Sequence, residues 1–133
     1  MAQFPDFSTS EGVWEALSDI KIKKGFDETL QMEVSVASFG PKVDLIEGQE
    51  ITLSGYVMPI DTEDNTVILS SLPFTSCFFC GGAGPETVLQ TDLERERSWV
   101  NQYVTIKGRL KVNRNDFLSL LYELEEVEMI AVE

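Results

Sequence analysis

Hydrophobic positions change their period along this chain, and the change divides it into a short helical opening and a long run of strands. In "EGVWEALSDI" Trp14, Leu17 and Ile20 recur at helical spacing after a Thr9/Ser10 start signal, which predicts a short amphipathic helix. In "LQMEVSVASF" the period drops to two, with Met32, Val34 and Val36 on one side, as a strand requires. "KKGFDE" before it reads as a connection, and "FGPKVDLIEGQ" after it as a break.

From residue 50 the pattern is short strands. "EITLSGYVMP" places Ile51, Leu53, Gly55 and Val57 on one face and stops at Pro59, "NTVILSS" follows across a hairpin turn at "DTEDN", and "ETVLQ" is the third. "TDLERERSW" opens with a capping-box pattern, Thr91 to Glu94, and predicts a short helix. "QYVTIKGRLKV" alternates most clearly, Val104, Ile106, Leu110 and Val112 against Thr105, Lys107, Arg109 and Lys111. In the last strand, "LLYELEEVEMIAV", the alternation slips at Glu125 and Glu126, which places a bulge there.

These elements predict a mainly β fold with short helices: an OB-like five-stranded barrel with an N-terminal helix and strand extension, bent at the strand glycines Gly55 and Gly108. A two-layer sandwich is the alternative, because strand count does not dictate closure. Residues 1–12, polar with a proline, read as a loose terminus, and 13–133 as one domain, in keeping with the length of 133 residues and the 43% hydrophobic content.

Charge narrows the partners. Twenty-three acidic against ten basic side chains leave −13, a surface that repels nucleic acid and anionic lipid alike. The basic stripe of Lys107, Arg109 and Lys111 is expected to pair with Glu123, Glu125 and Glu128 on the last strand instead. No apolar run approaches the roughly 20 residues that span a bilayer, and "MAQFPDFSTSEG" lacks the layout of a signal peptide. The chain has no histidine, which rules out Ser-His and Cys-His nucleophilic centres within it and leaves any enzymatic activity open. "DTEDN" lacks the spacing and terminal glutamate of a calcium loop, and Trp14 and Trp99 read as packing residues.

The remaining chemistry lies in "CFFCGGAGPE", residues 77–86, which holds both cysteines. Cys77 and Cys80 at i and i+3 before two glycines have the local form of a metal knuckle, with Gly81 and Gly82 offering backbone donors to the sulfurs. That is half of a tetrahedral set. Glu86 and Asp92 are the nearest carboxylates in sequence, and Glu86 is the candidate third ligand. A homodimer sharing one zinc through the cysteine loops would also complete the set, while copper(I) is content with two thiolates. Two other readings stand beside this one. The pair could cycle as a dithiol and disulfide, although it follows a strand and does not open a predicted helix. It could equally be a structural disulfide in a protein-interaction module, with Phe74, Phe78 and Phe79 as apolar plugs.

Across "IEGQEITLSGYVMPID", "ILSSLPFTSCFFCGGAGPETV" and "VTIKGRLKVNRND" the chain resembles a family of small, mostly uncharacterised exported proteins of Bacteroidetes-type bacteria. The likeness covers residues 14–133, and the cysteine block is its most specific part. The family is similar, more distantly, to a wider group of exported domains whose loop carries a cysteine, then a histidine, then a proline-rich run. Cys77 matches that cysteine, and Cys80 has no simple counterpart. The resemblance implies export to the periplasm or beyond, with "AQ" at residues 2 and 3 as a mature start after signal removal, and it implies soft-metal chemistry at the loop. It brings no established activity and no identified protein partner.

Overall fold

The computed structural model describes residues 9–74, 81, 83–114 and 120–133. Helix α1, Ser10–Leu17, begins where Thr9 caps it: the Thr9 hydroxyl accepts from the Gly12 N–H at 3.1 Å. It thus opens inside the stretch read as a loose terminus. One face, Gly12, Val13, Ala16 and Leu17, is buried. Strands β1, Ile20–Asp27, and β2, Met32–Phe39, form an antiparallel ribbon, and α2, Pro41–Ile46, follows with proline in its first turn. The remaining strands are β3, Glu50–Val57; β4, Thr66–Ser70; β5, Val88–Glu94; β6, Tyr103–Val112; and β7, Tyr122–Val132.

Strands β3 to β7 close into a barrel in the order β3-β4-β5-β7-β6, every pairing antiparallel except β5 with β7. This is the OB-like barrel that the alternation predicts, closed, and not a sandwich. The expected inward set is buried: Ile51, Leu53, Val57, Val104, Ile106, Leu110 and Val112 join Leu69, Leu89, Tyr122 and Leu124 in one core. Helices α1 and α2 contribute Val13, Ala16, Leu17, Val43 and Ile46 to the same cluster, so the extension packs against the barrel. The Tyr122 hydroxyl donates to the Leu17 carbonyl at 2.6 Å, joining the last strand to the first helix.

Close approach explains both glycines of the barrel strands, Gly55 and Gly108. A Cβ on Gly55 would lie 2.5 Å from the Ser70 carbonyl oxygen where β4 crosses, and one on Gly108 would lie 2.9 Å from Val127 Cγ2. Gly108 faces the bulge: Lys107 pairs with Glu128 and Arg109 with Glu125, so β7 carries one residue more than β6 there, and Glu126 takes φ 55°. The bulge at Glu125 and Glu126 is therefore present.

Three expectations change. The helix over "TDLERERSW" is absent; β5 runs on to Glu94, and only a single tight turn, Arg97–Trp99, follows. Thr91 is buried and its hydroxyl donates across the sheet to the Val67 carbonyl at 2.9 Å, so it bonds a neighbouring strand where a cap would bond its own helix. "KKGFDE" is not a connection, since its first residues belong to β1. The supposed break after β2 contains α2. The hairpin expected between β3 and β4 is present: the strands pair antiparallel, and "DTEDN" turns the chain within the connection 58–65, where the Asn65 N–H donates to the Thr62 carbonyl at 3.1 Å. Arg95 holds that connection by donating to the Met58 and Ile60 carbonyls and to Asp61.

Candidate functional site

β4 pairs with β3 only at Tyr56–Ser70 and Val57–Leu69, and the seam left between the two strands is where α1 lies. At the seam Ser54, which lies opposite Thr105 of β6 but has no β4 partner, turns its backbone groups to the helix. Its N–H donates to the Ser10 hydroxyl at 2.8 Å, and its carbonyl accepts from the Trp14 indole N–H at 2.8 Å. Trp14 thus combines packing with a hydrogen bond that a sheet partner would otherwise supply. The Ser54 and Thr105 hydroxyls meet at 2.6 Å on the neighbouring strand.

An open groove of about 530 Å³ runs along this seam. Ser10, Trp14 and Ser18 of the helical segment line one side, Ser54 and Tyr103 the floor, and Ser71, Leu72, Glu86 and Thr87 the other side. The last four are the two stems of the cysteine loop. They are tied together: the Ser71 N–H donates to the Thr87 carbonyl at 2.9 Å, continuing the β4–β5 ladder, and the Thr87 hydroxyl donates to the Gly84 carbonyl at 2.7 Å. A tight turn, Pro85–Thr87, brings the chain into β5.

Glu86 lies in that turn, half-buried, with its carboxylate folded back over the space that a Gly84 side chain would fill. The loop therefore needs glycine at 84 for the glutamate to take this position. Burial pushes the Tyr122 hydroxyl above the usual tyrosine range, and the nearby negative charges of Glu86 and Asp19 push it further, against the opposing charge of Arg114. Tyr122 is an anchor inside the core, held neutral at physiological pH.

Cys77 and Cys80 lie outside the described residues, as do Phe78, Phe79 and Gly82. Gly81 takes φ +78°, a left-handed conformation suited to glycine. Among the described residues no group of three or more potential ligands gathers. Asp92, the second carboxylate considered as a ligand, is otherwise engaged: its two oxygens accept from the Glu126 and Val127 N–H groups at 2.7 and 3.0 Å, so it secures the β7 bulge. The basic stripe is paired, Lys107 with Glu50 and Glu128, Arg109 with Glu126, and Lys111 with Glu125. Glu123 stands opposite Lys111 in the ladder, but the lysine reaches diagonally to Glu125, and Arg109 turns to the bulge residue Glu126. No described helix is long and apolar enough to cross a membrane.

The seam groove escapes sequence reasoning because it depends on β3 and β4 parting after two residue pairs, a feature of closure and not of pattern. Neither a family model nor any curated protein or solved structure matches the chain.

Proposed function

We propose that this is a small exported binding protein that holds a soft metal ion, zinc or copper(I), through the thiolates of Cys77 and Cys80, with Glu86 as a third ligand when the ion is zinc. What supports the reading most is the tied base of the loop: the Ser71–Thr87 bond at 2.9 Å clamps the stems of a loop that carries a C-x-x-C pair, with a carboxylate at its foot. A rigid base lowers the ordering entropy that ligand residues lose when they close on an ion. The glycines beside Cys80 allow backbone N–H groups to approach the sulfurs, and such donors tune thiolate ligands. Export agrees with the resemblance carried by the cysteine block.

Native and denatured masses of anaerobically purified protein test this directly. An excess in the native mass equal to one zinc or copper ion, per chain or shared by two chains, is the expected result, and C77S/C80S should abolish it. Glu86→Gln should weaken zinc retention in a chelator competition by about tenfold or more while leaving copper(I) nearly unaffected. A bare chain two hydrogens lighter than the reduced mass would instead make the pair a disulfide and overturn the metal reading. Turnover of a model disulfide by the metal-free dithiol would move the assignment to redox chemistry.

A further inference from the structure

The β1–β2 ribbon is a two-stranded sheet that shares no ladder with the barrel, and among the described residues each strand pairs only with the other. Two strands alone are marginal in water. This ribbon also carries large exposed apolar side chains at Ile22, Phe26, Leu30 and Met32, with Phe26 65% exposed.

Its two outer edges differ in kind. β1 carries Lys21, Lys23 and Lys24, all exposed, and among the described residues none of them forms an ion pair. Lysine on an edge strand is the usual guard against pairing with another chain. β2, "MEVSVASF", has no proline and a single charge, Glu33, so its edge is unguarded.

Charge also singles out the occupant. The ribbon's three lysines balance Asp27, Glu28 and Glu33, so residues 20–39 are neutral (3 − 3 = 0) in a chain of net −13. Two copies that repel elsewhere meet at least electrostatic cost through this segment.

We infer that β2 is a self-association edge: β2 strands from two copies pair antiparallel across a two-fold axis, giving a four-stranded sheet with the lysine-bearing β1 strands outermost. The register that centres the axis on Val34 sets Val34 against Val34 and Met32 against Val36 of the second copy, all on one face. It also sets Glu33 opposite position 35, so no like charges oppose each other. A β1–β1 pairing would bring the lysine rows together, and the guard excludes it. This association is independent of the cysteine loop and of any metal.

Sedimentation equilibrium over a wide concentration range reads the outcome. The wild-type protein should move from the chain mass towards twice that mass as concentration rises, and C77S/C80S with chelator present should behave identically. Val34→Lys should hold the chain mass throughout, because it opposes two lysines at the axis, with an unchanged circular dichroism spectrum as the folding control. Val34→Glu should do the same. Mixing the two variants should restore the dimer, as a lysine and a glutamate then face each other across the axis. A wild-type chain that stays monomeric at every concentration overturns the inference. So does a dimer that survives Val34→Lys, one that C77S/C80S abolishes, or a pair of charge variants that fails to associate on mixing.

Discussion

Gly55 and Gly25 both lie within strands, yet a side chain would have opposite consequences at the two. Gly55 has the Ser70 carbonyl 2.5 Å from where its Cβ would be and Leu69 Cγ at 3.0 Å, whereas nothing lies within 4 Å of the corresponding point on Gly25. The obstructing atom at Gly55 is backbone, which cannot rotate away. Gly55→Ala should therefore lose about 1–3 kcal/mol, as overpacked core sites do. Gly25→Ala should stay within about 0.5 kcal/mol of wild type. Urea midpoints at unchanged slope measure both. Tyr122 gives a pH prediction at the same scale. Its hydroxyl titrates higher in the folded protein than in the unfolded chain, so the stabilisation is fully present below the ordinary tyrosine value of about 10 and is lost as pH rises from there towards the folded value. Wild-type stability should fall above that point by up to about 1.4 kcal/mol per pH unit from this group. Tyr122→Phe should be weaker at neutral pH by about 1–3 kcal/mol, since the buried Leu17 carbonyl loses its donor, and should lack this part of the alkaline decline.

Among the elements, the parts legible in the sequence are those where one face meets the core. β3 and β6 alternate cleanly because their inward residues, Leu53 and Ile106 among them, are buried while their neighbours face out. β1 is illegible for the converse reason: Lys21, Ile22, Lys23 and Lys24 are all exposed, so no apolar period marks a buried face. The false helix at "TDLERERSW" comes from a local signal overruled by long-range bonds, with Thr91 donating to β4 and Asp92 accepting from β7. The groove is illegible because no short segment encodes it, whereas Glu86 is within reach by its nearness to the cysteines. Asp92 also tests how the β5–β7 junction is held, since these strands share only two ladder pairs, Gln90–Glu123 and Thr91–Leu124. Asp92→Ala hands two exposed bulge amides over to water and should cost about 0.5–1.5 kcal/mol. Hydrogen exchange at the Glu126 and Val127 amides should rise by more than elsewhere in the barrel.

At the scale of the whole molecule, the barrel, the seam and the ribbon divide the work. The barrel and the two helices share one core, the seam groove lies beside the tied stems of the cysteine loop, and the ribbon, anchored to that core at its base by Ile20 and Phe39, carries its unguarded edge outward. Substitutions towards the ribbon's turn end, Val34 among them, should therefore leave barrel stability nearly unchanged, whereas those at Ile20 or Phe39 should not. Combining Val34→Lys with Gly55→Ala should give additive effects on the urea midpoint at concentrations where the wild-type chain is monomeric.

The barrel order has one more consequence, in time. β7 lies between β5 and β6 and supplies Tyr122, whose hydroxyl reaches back 105 residues to Leu17. A ribosome releases the chain from the other end, so α1 and four of the five barrel strands emerge with a gap where the last strand belongs. They cannot close until residues 122–132 are free. Contacts this distant in sequence also make closure slow. Until those residues emerge the nascent chain stays open, threadable, and within reach of whatever meets it first.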